Sequence, residues 1–297
     1  MTQRVNRAAE LLAQGQPIYS TGVHELTYES GKAMAGTWAD YINAELEHAP
    51  FDVKGLAAFM TGLADGGPTA SGHPTPAVIA TLPVDGSSED VVRANAWMFR
   101  QVLATGVHGI LLCHAETPGA ARAFVESCRF ALHTAGQDRG LGEGRRGAGG
   151  QGSASKVWGI SPTEYIRRAE PWPLNPEGEL LLGLKIENRR ALANVRETLR
   201  VPGIAFAEWG PGDMGIAFGH YDAHDPPYPP EMDAARLTVA EACRENGVTF
   251  LCSWNDRSLS VEQRVQKLLD DGVKVMSGFG EEGARIGRRL SGRTMPV

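Results

Sequence analysis

The chain has 297 residues, 42% of them hydrophobic and 22% charged, a composition that excludes a wholly disordered chain and a coiled coil. Its net charge of −6 at pH 7 argues against nucleic acid or an anionic membrane as a partner, because the long-range field repels polyanions. The sequence lacks both the run of about 20 apolar residues that a bilayer span needs and the apolar core of a signal peptide, so we expect a cytoplasmic protein.

Short β-rich runs alternate along the chain with longer segments whose apolar residues have helical spacing. The eight predicted strands are Ile18–Gly22, Tyr41–Leu46, Ala77–Leu82, Gly109–Cys113, Leu180–Ile186, Ile204–Trp209, Thr249–Cys252 and Val273–Met276. The predicted helices include 91–103, 120–132, 191–199, 234–243 and 261–269. Strict alternation implies parallel strands with right-handed crossovers, and eight units in about 250 residues predict a (β/α)8 TIM barrel. We expect one domain over residues 1–297, with an open doubly wound sheet as the alternative.

The segment 136–156 interrupts this alternation. Its central part, residues 139–152, contains seven glycines. Long loops in compact domains are often functional, so we interpret this segment as a mobile lid over the barrel mouth. A disordered surface loop is the alternative interpretation.

Polar residues follow several predicted strands, where the active site of a barrel is built. Glu45, Glu47 and His48 lie at the end of the second strand, Glu187 follows the fifth, and Asp213 follows the sixth. Oxygen ligands from separate strand ends suit Mg²⁺ or Mn²⁺, so Glu187 and Asp213 are the predicted metal ligands. Alternatively, the two acids only stabilise helix N-termini and His48 is a structural hydrogen-bonding residue.

Three motifs lie at these strand ends: Glu45–Pro50, Lys185–Val195, and Gly210–Met214 with Phe218-Gly219 shortly after. In order, spacing and position they resemble the HpcH/HpaI aldolase family of class II, metal-dependent 2-oxo acid aldolases, which is related to the citrate lyase β-subunit. The resemblance extends from about residue 11 to residue 280. It implies a TIM barrel, a trimer or hexamer, and a Mg²⁺, Mn²⁺ or Co²⁺ ion. The implied reaction is cleavage of a 4-hydroxy-2-oxo acid into pyruvate, or a related 2-oxo acid, and an aldehyde.

The same resemblance implies a role for each motif residue. Glu187 and Asp213 would bind the cation, which chelates the carboxylate and keto oxygens of the 2-oxo acid. His48 matches the catalytic histidine, which acts with a metal-bound water as acid and base on the aldol hydroxyl. Glu45 falls where the family usually has Asp and would orient His48, and Glu47 matches its neighbour.

The chain departs from the family where the substrate binds. The family's third strand ends in an arginine that contacts the pyruvate oxygens, whereas this chain has Ala80–Pro83 there. Loss of such a contact costs about 3 kcal/mol of transition-state stabilisation unless another donor replaces it. We expect His24, His114 or Arg146 to supply that charge, and Gly212 to complete the substrate-binding residues.

The leading interpretation is therefore a metal-dependent carbon-carbon lyase acting on an aromatic or sugar-derived catabolite. One alternative is a citrate-lyase-like or malyl-CoA-lyase-like enzyme, in which Arg139, Arg145 and Arg146 would bind the phosphates of CoA. The other is an inert barrel that binds a 2-oxo acid, which the missing arginine and Ala104, at the position of a second family acid, would explain.

Overall fold

The computed structural model describes residues 3–297, so Met1 and Thr2 of the predicted domain lie outside the described residues. The strands are β1 (Ile18–Val23), β2 (Tyr41–Glu45), β3 (Ala77–Asp85), β4 (Gly109–Cys113), β5 (Pro171–Trp172), β6 (Leu180–Ile186), β7 (Phe206–Trp209), β8 (Thr249–Cys252) and β9 (Val275–Met276). The helices are α1 (Arg7–Ala13), α2 (Tyr28–Met34), α3 (Val53–Asp65), α4 (Glu89–Ala94), α5 (Ala96–Ala104), α6 (Pro118–Cys128), α7 (Gln151–Val157), α8 (Pro162–Arg168), α9 (Arg189–Thr198), α10 (Pro211–Phe218), α11 (Pro230–Asn246), α12 (Val261–Asp270) and α13 (Gly280–Leu290). No helix within residues 3–297 is long and apolar enough to cross a bilayer.

Eight parallel strands close into a barrel, which confirms the predicted fold. Their order is β1-β2-β3-β4-β6-β7-β8-β9, and β9 pairs with β1 through Ile18 with Val275 and Tyr19 with Met276. The short β5 pairs only with the start of β6 and lies outside this closed circuit. Because all strands are parallel, their carboxyl ends meet at one end of the barrel.

The barrel interior is filled by alternate residues of each strand. Its apolar layer includes Ile18, Ile79, Leu111, Leu181, Phe206, Leu251 and Val275, and α1 packs against this layer through Ala8, Leu11 and Leu12. On β6, Gly183 makes room for the ring of Phe206, because a Cβ at Gly183 would lie 2.2 Å from that ring. Lys185 and Glu187 follow Gly183 at two-residue steps, so they lie on the interior side, toward the carboxyl ends.

One predicted helix is divided in the structure, and another ends four residues earlier than predicted. The helix predicted over 91–103 is divided into α4 and α5 at Asn95, whose side-chain amide donates to the carbonyl of Val91 at 2.9 Å. Such local bonds compete with continuous helix. The helix predicted over 120–132 ends at Cys128, because Arg129 adopts an extended conformation and pairs with the buried Glu170.

The glycine-rich segment is not a lid over the barrel mouth. Within 136–156 the chain forms a 3₁₀ turn at Gln137–Arg139 and the start of α7. Arg146 donates to the hydroxyl of Tyr165 at 3.0 Å, and Ser153 donates to the carbonyl of Ala104 at 2.8 Å. Ala104 is the last residue of α5, and a helix of a βα unit ends at the amino ends of the strands. The segment therefore covers the opposite end of the barrel from the strand carboxyl ends.

Candidate active site at the carboxyl ends of the strands

Acidic, basic and imidazole groups converge where β2, β4 and β6 end. β2 ends at Glu45, β4 is followed directly by His114, and β6 is followed directly by Glu187. Strand pairing brings these ends together, because β2 pairs with β3, β3 with β4, and β4 with β6. The position matches the usual location of active sites in such barrels.

Glu187 is the most buried member of this group, with a side-chain exposure of 0%. Its Oε1 accepts a hydrogen bond from the backbone N–H of His114 at 3.0 Å, and its Oε2 lies 3.0 Å from the ammonium of Lys185. Burial raises the pKa of Glu187 above its ordinary value, although Lys185 and His114 oppose that rise. A buried carboxylate is costly unless positive charge compensates it, so Glu187 needs cationic groups beside it.

The backbone of His114 has an unusual conformation that serves this contact. Its φ is 46°, and it is the one non-glycine residue of the described chain with a positive φ. This conformation costs about 1–3 kcal/mol and is found preferentially at functional sites. Here it directs the N–H toward Glu187 and places the imidazole Nδ1 3.4 Å from Glu187 Oε1.

Lys185 provides the positive charge among these acids, a role that the sequence pattern does not predict. Its Nζ lies 2.7 Å from Glu47 Oε2 and 3.0 Å from Glu187 Oε2, and its side chain is 10% exposed. Both contacts are ion pairs, so one ammonium joins the two carboxylates. Burial alone would lower the pKa of Lys185, but the nearby carboxylate of Glu187 raises it above its ordinary value.

The turn after β2 carries the three residues predicted to be catalytic. Glu45 Oε1 accepts from the backbone N–H groups of Glu47 at 2.7 Å and His48 at 3.1 Å, so it orders the backbone of this turn. Burial favours the neutral form of Glu47, but its hydrogen bond with Lys185 lowers its pKa below the ordinary value. The imidazole of His48 is 68% exposed, with Nε2 3.5 Å from Glu47 Oε2. His48 is therefore accessible to a ligand at the barrel mouth.

The segment after β7 approaches Glu187 closely. A Cβ on Gly210 would lie 2.7 Å from Glu187 Oε2, so the backbone and the carboxylate are in direct contact. Gly212 and Asp213 follow in the first turn of α10, both partly buried. Asp213 does not share the tight cluster of possible ligand atoms around Glu187.

Glu208 is a further acid of the site that is not among the predicted site residues. It stands beside Lys185 in the register of β6 and β7, on the interior side of the barrel. Burial raises the pKa of Glu208 to about 7, with Lys185 opposing the rise and Glu187 adding to it. An isolated acid at a strand end gives no sequence signal that separates it from a helix-start acid.

The donor set fits a divalent cation. Glu47, His114 and Glu187 each offer one ligand atom, and these atoms lie within 4.8 Å of one another. Carboxylate oxygens and an imidazole nitrogen are ligands that Mn²⁺, Co²⁺ and, through the oxygens, Mg²⁺ accept. Glu47 and Glu187 already hold the ammonium of Lys185, which indicates a pocket that favours positive charge.

Two residues predicted to bind substrate lie outside this cluster. Arg146 is buried at the opposite end of the barrel, where its guanidinium lies 4.1 Å from the ring centroid of Phe130. His24 is exposed immediately after β1. In the middle of β3, where the family has an arginine and this chain does not, Thr81 donates to Asn43 Oδ1 at 2.8 Å. Neither Arg146 nor Thr81 brings positive charge to the mouth.

Comparisons with known proteins identify the family of the chain and relatives of similar sequence and fold. The family model described as HpcH/HpaI aldolase/citrate lyase matches residues 29–279. A hydroxypyruvate/pyruvate aldolase from Delftia acidovorans is 26% identical over 84% of this chain and 83% of the relative. A 2-keto-3-deoxy-L-rhamnonate aldolase from Escherichia coli is 26% identical over 73% of this chain and 68% of the relative. A family protein of known structure from Burkholderia cenocepacia is similar in fold, with a TM-score of 0.70, 19% identity, and coverage of 96% and 97% of the two chains.

Proposed function

Because this chain belongs to the HpcH/HpaI aldolase/citrate lyase family, we propose that it is a divalent-metal-dependent aldolase. The proposed reaction cleaves a 4-hydroxy-2-oxo acid into pyruvate, or a related 2-oxo acid, and an aldehyde. The observation that carries the proposal is Glu187, a fully buried carboxylate whose ligand atom lies within 4.8 Å of those of Glu47 and His114. The relatives named as aldolases of hydroxypyruvate, pyruvate and 2-keto-3-deoxy-L-rhamnonate support the substrate class.

Glu187 is the proposed anchor of the cation. When bound, the cation would supply a Lewis acid for the negative charge that develops on the keto oxygen as the carbon-carbon bond breaks. His114 holds Glu187 through its backbone N–H, and the barrel wall keeps water from the carboxylate. This burial strengthens electrostatic interactions at the reacting atoms.

Two sets of partner ligands for Glu187 are proposed, and they can be separated by experiment. The family resemblance gives Asp213, whereas the geometry gives Glu47 and His114. If Asp213 is a ligand, Asp213→Asn weakens Mn²⁺ binding at least tenfold. If Glu47 is the ligand instead, Glu47→Gln has that effect and Asp213→Asn does not. Titration of Mn²⁺ monitored by electron paramagnetic resonance distinguishes the two sets.

His48 is the proposed acid and base. An imidazole can accept and return a proton near neutral pH. In cleavage it would accept the proton of the 4-hydroxyl as the C3–C4 bond breaks, which releases the aldehyde and leaves an enolate. Proton return to C3 then gives the 2-oxo acid. The high exposure of His48 and the turn ordered by Glu45 suit this role at an open mouth.

Hydrogen exchange at the methyl group of pyruvate tests the proposal without knowledge of the aldehyde. Metal-stripped protein in D₂O is followed by proton NMR before and after addition of Mg²⁺, or of Mn²⁺ at a level that does not broaden the signal. We expect metal-dependent loss of the methyl signal with the wild type and none with Glu187→Gln. Glu282→Gln, a change at an exposed acid of α13, is the matched control.

The alternative of a CoA-ester lyase is not supported by the positions of the arginines proposed to bind the phosphates of CoA. Arg146 is buried at the opposite end of the barrel, and the glycine-rich segment that carries Arg139 and Arg145 lies there with it. The alternative of an inert barrel predicts binding of a 2-oxo acid with no exchange. The NMR experiment separates that alternative from an aldolase.

A further inference from the structure

Lys185 occupies the space between two of the groups that could hold the cation. Its ammonium lies 2.7 Å from Glu47 Oε2 and 3.0 Å from Glu187 Oε2. It extends from the interior side of β6 two residues before Glu187, so the strand itself sets its position. The side chains of Glu47 and Glu187 are 9% and 0% exposed, which leaves little water to screen either charge.

The other cations near this end of β6 are engaged elsewhere. Arg190 pairs with Glu116 at 3.0 Å, and Arg189 lies over the ring of Phe218, 4.4 Å from its centroid. Both belong to the first turn of α9, beyond Glu187. Lys185 is therefore the fixed positive charge that compensates Glu47 and Glu187 in the metal-free protein.

We infer that Lys185 is an internal counter-ion that competes with the divalent cation for Glu47 and Glu187 and thereby sets the metal affinity of the site. The inference rests on the proposed metal site and adds a residue that controls it. Without metal, the ammonium keeps the two carboxylates together and prevents their mutual repulsion. A divalent cation that binds Glu187 must share the carboxylates with this ammonium, and two cations a few ångströms apart repel strongly where water is scarce.

Mn²⁺ titration of charge variants tests this inference. Lys185→Met removes the charge with a side chain of similar length, Lys185→Arg retains the charge, and Lys156→Met removes an exposed lysine of α7 as the control. We expect Lys185→Met to bind Mn²⁺ at least tenfold more tightly than the wild type, equivalent to about 1.4 kcal/mol. Lys185→Arg and Lys156→Met should keep an affinity near that of the wild type. Equal or weaker binding by Lys185→Met would overturn the inference.

Thermal unfolding with and without Mn²⁺ provides a second readout that does not depend on catalysis. Metal-free Lys185→Met should unfold at a lower temperature than the wild type, and Mn²⁺ should restore more of its stability than it adds to the wild type. A variant that folds only with Mn²⁺ would also support the inference. If neither protein binds Mn²⁺, both the counter-ion role and the proposed metal dependence are wrong. If both bind equally, only the counter-ion role is wrong.

Discussion

Substitution of Gly210 by alanine displaces the carboxylate of Glu187 without changing Glu187 itself. The backbone of Gly210 has φ −85° and ψ 101°, a conformation that alanine adopts freely, so Gly210→Ala introduces no backbone strain. The new Cβ would lie 2.7 Å from Glu187 Oε2 and 3.1 Å from Glu187 Cβ. The carboxylate cannot rotate away without cost, because its Oε1 is bound to the N–H of His114. The substitution must therefore displace Glu187 or the start of α10.

The expected magnitude follows from the tolerance of metal sites. Ligand distances in such sites are kept within about 0.2 Å, and changes in the groups that position a ligand typically weaken metal binding about 10- to 100-fold. For Gly210→Ala we predict a loss of Mn²⁺ affinity in that range, equivalent to about 1.4–2.7 kcal/mol. The exchange rate of the pyruvate methyl group should fall in parallel at fixed Mn²⁺.

Gly36→Ala is the control for this prediction, because a Cβ at Gly36 meets no atom within 4 Å. Thermal unfolding of both variants confirms that they are folded. An unchanged Mn²⁺ affinity and exchange rate in folded Gly210→Ala would refute the argument that the position of Glu187 controls metal binding.

Three further substitutions test other parts of the structure. Burial raises the pKa of Glu208 from 4.5 to about 7. Between these pH values the folded state holds a proton that the unfolded state releases, so the free energy of unfolding falls as the pH rises from 4.5 to about 7. Metal-free Glu208→Gln should lack this fall and, in urea unfolding at pH 8, should be about 3 kcal/mol more stable than the wild type. The same pH dependence of unfolding in both proteins would contradict this prediction. Glu170→Gln leaves the buried guanidinium of Arg129 without its carboxylate and should cost about 3–5 kcal/mol in unfolding free energy, and a cost below 1 kcal/mol would show that the pair is not needed. Arg146→Met should lower the free energy of unfolding by about 2 kcal/mol, because it loses contacts with a phenyl ring and a tyrosine hydroxyl, and should leave kcat/KM unchanged. A large fall in kcat/KM at unchanged stability would show that this arginine acts in the active site.

The barrel was predictable because its strands leave a strong pattern. Parallel strands buried on both faces form continuous apolar runs, such as Leu180–Ile186, and each predicted strand corresponds to one barrel strand of the structure. The break at Asn95 was not predictable from periodicity, because α4 and α5 together keep one helical pattern. β5 was not predicted, because two residues, Pro171–Trp172, are too few to show the alternation of apolar and polar side chains that marks a strand.

The site was predictable only in part, because the sequence shows which residue types are present but not always which way a side chain or a connection points. Glu47 and Glu187 were found because strand ends converge in a barrel. Lys185 was not found because it stands inside an apolar strand, although its two-residue spacing from Glu187 indicates that both face the interior. Arg146 was assigned to the mouth because the sequence does not reveal to which end of the barrel a long connection returns.

The proposal that Glu187 anchors a divalent cation is tested by locating the bound ion in a crystal. Crystals of the full chain soaked in Mn²⁺ and measured near the manganese absorption edge would locate the cation by its anomalous signal. We predict one strong peak at ligand distance, about 2–2.5 Å, from a carboxylate oxygen of Glu187. A manganese peak elsewhere, with Glu187 still paired to Lys185 alone, would contradict it.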